Sequence, residues 1–234
     1  MTPLEQVTAL CAEKSKSIQN IIEVELTSKA LEIASVLKQD LFNLPSEKIV
    51  VDVPEIGEKF KKLSLLALNN NEEHGSKFKV PLHEIPNFET NPVLRQLALT
   101  VRPLVAPLRV TLYHVECGLE LLRPQVEEGV NYALDIQDKA IKRLNDMDKS
   151  ALALLTKVDY YHYNRSENVA KYLKNSTSAD IRQAILDQDI FYYSNCVLIL
   201  NWLRDEMLAF IDFYNKNKEK IMNPDTKRQV HDMY

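Results

Sequence analysis

"LNDMDKSALALLTKVDYY", residues 144–161, places Leu144, Met147, Ala151, Leu154, Val158 and Tyr161 three or four residues apart. That is the repeat of one face of a helix, held over about five turns. Charged and polar residues fill most of the remaining positions, so the segment reads as a long amphipathic helix with one seam to bury. Working outward, the pattern predicts a helix over 132–173. A partner stripe runs through 179–221, where Leu186, Ile190, Tyr193, Val197, Leu200, Met207, Ile211 and Tyr214 mark one face. Cys196, Ile199, Leu203 and Phe210 form a second stripe beside it. Two stripes point to burial on two sides, either at a subunit interface or at the centre of a monomer.

Toward the N-terminus the same period returns twice. Leu94, Leu97, Val101, Leu104, Leu108, Val115, Leu119 and Leu122 predict a helix over 93–122, bent at Pro103 and Pro107 rather than broken. Ile18, Ile22, Leu26, Ala30, Ile33, Leu37 and Leu41 predict a helix over 3–42, with Thr2 as its cap and Pro3 in its first turn. Only four glycines occur, and Gly118 alone falls inside a predicted helix; Gly57, Gly75 and Gly129 fall in connections. Five of the ten prolines lie between 45 and 92, which marks 43–92 as an irregular linker. Within it, Pro45 and Pro54 bracket an extended apolar segment, 56–68 reads as a short helix, and 69–92 as a polar, mobile loop. Ser178 is the expected cap of the last helix, Pro224 its stop, and 222–234 a polar tail ending in Met233 and Tyr234. Short links around 123–131 and 174–178 imply antiparallel neighbours. The expectation is one all-α domain over 1–234, an elongated four-helix bundle.

Composition narrows the function. A net charge of −4 gives no electrostatic reason to expect nucleic acid or an anionic membrane as partner. The densest basic cluster, "EKFKK" at 58–62, is mixed in sign and reads as solvated surface. No apolar run of about 18 residues predicts a membrane span. The start "MTPLEQVTALCAEK" lacks the basic-then-apolar pattern of a secretory signal. Cys11, Cys117 and Cys196 are sparse, odd in number and far apart, which argues for buried thiols in a reducing compartment. The expected location is the cytoplasm, with a nuclear pool open.

Catalytic constellations are missing from the pattern. There is no glycine-rich phosphate loop, no C-x-x-C pair and no E-x-x-H, so a di-iron bundle is excluded. Asp159 and His162 stand three apart, yet a lone pair amid tyrosines reads as a surface contact rather than a metal site. Cys117 shares a helical face with His114 but lacks an orienting third group, so it reads as structural. The expectation is a non-enzyme with no cofactor and no metal.

One connection is too distinctive for a plain turn. "RPQVEEGVNYALDIQDK", 123–139, resembles the activation-loop region of the 11S (REG) proteasome activators, with Pro124, Val126, Glu127, Glu128, Gly129, Asn131, Tyr132, Ile136 and Gln137 in register. "VRPLVAPL" places Pro103 where family members carry a helical proline; "VDVPEI" at 51–56 is similar to the segment after their first helix; and the terminal "MY" matches the aromatic end of animal members.

The resemblance implies a ring of seven subunits that docks on the α subunits of the 20S proteasome without ATP; a homo-heptamer is the expected form, with a mixed ring left open. The tail residues Val230, His231, Asp232, Met233 and Tyr234 would enter pockets between those subunits. The loop Arg123, Pro124, Gln125, Val126, Glu127, Glu128, Gly129, Val130, Asn131 and Tyr132 would hold the gate open for peptides. No nucleic acid and no membrane are implied. Two departures stand out: Val130 replaces the first loop asparagine of the family, and the 43–92 linker lacks the alternating Lys/Glu tract of some members. The other class compatible with these helices is a scaffold or adaptor that binds a protein through an apolar helix face, with no gating role.

Overall fold

The structure, a computed structural model, describes residues 2–51, 53, 89–123, 132–175 and 178–224. Every regular element among them is helical. The first helix, α1 (Pro3–Asn20), opens with a capping box. The Glu5 amide donates to Thr2 Oγ1 at 3.3 Å, and the Thr2 amide donates to Glu5 Oε2 at 2.8 Å. A π-helical turn, Ile21–Leu26, joins α1 to α2 (Thr27–Val36). The spacing of the buried stripe accounts for it. Ile18, Ile22, Leu26 and Ala30 are each four apart and all buried, and on an α-helix each such step drifts by about 40° around the axis. The wider π turn takes up the drift and returns the stripe to one side.

The helix expected over 3–42 ends at Val36 instead. The amides of Leu37, Lys38 and Gln39 meet the carbonyls of Ile33, Ser35 and Val36 at its end, and Asn43 Nδ2 pins the following turn by donating to the carbonyls of Leu37 and Gln39, both at 3.0 Å. A 3₁₀ turn at Asp40–Phe42 follows. The tighter turn changes the register, so Phe42 is buried and Leu41, expected in the seam, is only half-buried. The segment expected to be extended between Pro45 and Pro54 begins with one helical turn, α3 (Ser46–Ile49). It turns extended at Val50, and Ile49 and Val53 are buried. The helix expected at 56–68 and most of the 69–92 loop lie outside the described residues.

Three long helices complete the chain: α4 (Pro92–Leu121), α5 (Tyr132–Lys174) and α6 (Ala179–Met222). Asn91 caps α4, its Oδ1 accepting from the amides of Val93 at 3.1 Å and Leu94 at 3.2 Å. Ser178 caps α6 through the Ile181 amide. Helix α4 runs through Pro103 and Pro107 without a break. Both prolines are exposed, so the carbonyls they leave without donors face water.

The chain divides into two compact units. One comprises Met1–Asn43, Leu99–Thr156 and Cys196–Tyr234. Its helices are antiparallel, as the pairs across it show. Arg109 grips Asp148 with two hydrogen bonds, at 2.7 and 3.0 Å, and Arg123 pairs with Asp138. Between α5 and α6, Arg143 meets Glu206 and Gln137 meets Ile221, so positions fall on one helix as they rise on the other. Gly118 is where α1 presses against α4: a Cβ there would overlap Ile18 Cδ1 and Cγ1. A mid-helix glycine costs about 1 kcal/mol relative to alanine, and Ile18, fully buried, occupies the space so released. Of the second stripe on the last helix, Cys196, Leu203 and Phe210 are buried in this unit and Ile199 is half-buried. The apolar residues of α6 left exposed here are Leu198, Trp202 and Leu208.

In the same unit Glu23 accepts from Lys218 Nζ at 2.6 Å and from the Tyr214 hydroxyl at 3.4 Å. The lysine hydrogen bond holds the Glu23 carboxyl below its usual range. Burial, and then the facing Glu23 carboxylate, push the Tyr214 hydroxyl up to about 12.

The other unit comprises Leu44–Ala98 and Lys157–Asn195. Val53, Tyr172 and Ile185 form one apolar cluster in it. Beside that core sits a fully buried carboxylate, Asp189. It accepts from the Tyr161 hydroxyl at 2.7 Å, Arg165 Nε at 3.2 Å and Asn91 Nδ2 at 3.0 Å. Asn91 also donates to the Ile49 carbonyl at 2.7 Å, and Arg165 to the Glu89 carbonyl at 3.2 Å. Both ends of the 50–90 connection are thereby tied to one charge. Tyr161, stacked on Tyr192 at 4.3 Å, has its hydroxyl pushed far up by burial and by Asp189.

Two outcomes are expected. Asp189→Leu leaves Arg165 buried without its partner and should cost about 3–5 kcal/mol in chemical denaturation. Adding Arg165→Met should recover much of that loss, because an apolar pair removes the stranded charge. For Tyr214 the neutral form is the one the fold favours. Its contribution is therefore fully present below pH 10, the ordinary tyrosine value, and lost as pH rises toward 12. Thermal unfolding followed across that window should fall more steeply for the wild type than for Tyr214→Phe.

Candidate functional site

The two segments singled out in the sequence leave the bundle from three helix ends. At the first, α4 stops after Leu121. The Leu122 amide donates to the carbonyls of Gly118 and Leu119, and the Arg123 amide to that of Glu120, closing the last turn. Arg123 then pairs with Glu120 at 3.3 Å and with Asp138 on α5. Its side chain is 37% exposed, so these pairs contribute no more than about 1 kcal/mol each.

At the second end, α5 begins at Tyr132, with Asp135 in its first turn, where a negative charge suits the helix dipole. One turn further, Ile136 and Gln137 are buried. Gln137 Nε2 donates to the Ile221 carbonyl at 2.8 Å. Ile221 belongs to the last turn of α6, whose carbonyls have no intrahelical donor. The glutamine side chain therefore caps the third helix end from a neighbouring helix. Both groups are fully buried, so stranding the carbonyl costs about 1–3 kcal/mol.

Residues 136–138 thus act as a hub. Ile136 enters the core, Gln137 holds the end of α6, and Asp138 holds the residue at which the chain leaves α4. Successive side chains on a helix point about 100° apart, which lets neighbours in sequence grip different partners. At the foot of the tail the Asn223 amide donates to the Glu219 carbonyl at 2.8 Å, and Lys218 is tied to Glu23.

Of the expected site residues, Arg123 and the backbone of Tyr132 fall among those described. Pro124, Gln125, Val126, Glu127, Glu128, Gly129, Val130 and Asn131 lie outside them, as do Val230, His231, Asp232, Met233 and Tyr234. The hub was only partly visible in the sequence: Gln137 stood in the motif without a role, and Asp138 was not singled out. Elsewhere, Cys117, read as structural on the face it shares with His114, lies one turn from Tyr113 and pushes that hydroxyl above the usual tyrosine range. Asp159 and His162 are both exposed, and among the described residues no group of three or more His, Cys, Asp or Glu is placed to hold a metal.

Comparison with known proteins bears on the same helices. The profile of the family described as proteasome activator PA28, C-terminal, matches residues 87–231. Proteasome activator complex subunit 3 of Homo sapiens is 28% identical over 142 residues, covering 60% of this chain and 56% of that protein. The match thus spans little more than half of that relative's length. Proteasome activator complex subunit 2 of Bos taurus is 27% identical over 225 residues, covering 94% of this chain and 91% of its own. Among solved structures, the 11S subunit of the Plasmodium falciparum proteasome, PA28, superposes with a TM-score of 0.69 at 17% identity, over 94% of this chain and 93% of that one. The activator PA26 complex has a TM-score of 0.57 at 13% identity, covering 97% and 98%. At these identities the structural likeness carries the fold, an all-α bundle. The profile match runs from the start of α4 to within three residues of the C-terminus, through the loop, the hub and most of the tail, and on that ground the chain belongs to the PA28 proteasome activator family.

Proposed function

We propose that this chain is an ATP-independent activator of the 20S proteasome. It docks on the α ring through Val230–Tyr234 and opens the gate with the loop Arg123–Tyr132. The observation that carries this reading is the hub on α5, which gathers the two ends of the loop and the root of the tail into one unit. A gate opener needs that arrangement, because the segment that docks and the segment that pushes must keep a set relation. A solved structure of the same fold is that of the yeast 20S proteasome in complex with the activator PA26, which supplies the partner.

A chain of this kind regulates a protease and needs no catalytic group of its own. It acts by favouring one of two states of the gate. Assembly into a homo-heptameric ring strengthens docking, since several short tails held together act at high effective concentration. Leu198, Trp202 and Leu208 on α6, with Val110 and Tyr113 on α4, remain exposed in the single subunit and give such an assembly apolar surface to cover.

The test is hydrolysis of a short fluorogenic peptide by latent, cognate 20S proteasome. The wild type should stimulate it. Removal of Tyr234 should raise the concentration needed by more than about tenfold, since the loss is repeated at every tail. Val130→Asn should increase maximal stimulation, because an amide restores a hydrogen-bonding group that valine lacks. A protein that assembles yet neither co-sediments with the proteasome nor changes hydrolysis is a helical scaffold instead.

A further inference from the structure

The hub has one member whose chemistry neither docking nor gate contact calls for. Gln137 is fully buried, belongs to neither the expected loop nor the expected tail, and spends its amide N–H on the main chain of another helix. A leucine or methionine would fill a buried position of α5 as well. What an apolar residue lacks is a donor for the Ile221 carbonyl. Asp138, next in sequence, reaches Arg123 where the chain enters the loop. The residue after Met222 begins the run into the tail.

We infer that Gln137 is a positioning residue: its hydrogen bond to Ile221 sets the root of the tail against the root of the loop, so that docking is converted into gate opening. This rests on the activator reading above. The Arg123 pairs are half-exposed and screened by water and salt, so they orient the start of the loop without holding it. The apolar contacts of Ile136 and Ile221 hold the helices together but permit sliding and rotation, since burial is non-directional. Among the described residues, the Gln137–Ile221 bond is the directional, buried link between the loop-bearing turn of α5 and the tail-bearing turn of α6. Without it, tails still dock and loops are still present, but the relation between them loosens. A displacement of the order of 1 Å at a positioned group is enough to lose most of its effect.

The variant to make is Gln137→Met, which matches the length and removes the donor, with Gln137→Asn as a second that keeps an amide too short to reach. Two readouts are needed. The first does not involve the proteasome: amide hydrogen exchange of the intact protein. Protection should fall together in peptides covering 133–141 and 215–222, while 144–154 stays as in the wild type. The second is the peptidase assay titrated to saturation. Maximal stimulation should fall about tenfold, with the half-saturating concentration within about twofold of wild type. Unchanged exchange at both ends, or unchanged maximal stimulation despite altered exchange, overturns the inference. So does a fall in stimulation that merely tracks lost assembly, lowered thermal stability or weakened docking, because that is a structural role. If the wild type itself neither binds nor stimulates the proteasome, the activator reading fails, and the exchange result still reports whether Gln137 couples the two helix ends.

Discussion

Each long helix carries a continuous apolar stripe, with a second beside it on α6, and those stripes have to leave water. A single amphipathic helix cannot bury its own stripe, and two leave much of it wet; four can close around a common core. Most of the remaining features in the larger unit follow from that requirement. The π turn at Ile21–Leu26 keeps the stripe of the first helix on one side. Gly118 lets Ile18 sink against α4 at the point of closest approach. The exposed prolines of α4 leave their unpaired carbonyls where water can reach them. The stop after Val36, closed by Asn43, brings Phe42 rather than Leu41 into the core.

Burying helices also buries some of their ends, and an end is a row of unpaired backbone groups. Gln137 meets one such group on Ile221, 84 residues away in sequence. Asn91 meets several at once: it caps α4, donates to Ile49 and feeds the buried Asp189. In both places an uncharged amide links segments that the chain order keeps apart. The carboxylate of Asp189 is tolerated because three donors converge on it. In the smaller unit that charge ties the two ends of a long connection. In the larger one, the turn around Gln137 ties the end of α4 at Arg123 to the end of α6 at Ile221.

Much of this was legible in the residues. The 3.6-residue period located α4, α5 and α6 to within a residue or two, because each has a stripe long enough to average out local exceptions. The caps at Thr2 and Ser178 were readable because a capping side chain acts on amides two or three residues away. The end of the first helix was misread, since the stripe from Ile33 through Leu37 to Leu41 keeps its period past the point where Asn43 takes the carbonyls. The second stripe on α6 suggested burial on two sides; Cys196, Leu203 and Phe210 of it are taken up by the core of the subunit itself.

The sequence by itself determined the fold class, the antiparallel order implied by short links, and the motif that marks the family. These depend on periodicity and on motifs a few residues long, and both are properties of neighbouring positions. The tertiary structure alone decided what the buried polar residues would meet. Gln137 and Asp189 fall seven residues before Leu144 and Cys196, so a helical wheel puts them on buried stripes without saying what polar group each would meet. Their roles come from a carbonyl at the end of one helix and an arginine on another, and such partners are chosen only when helices far apart in sequence come together.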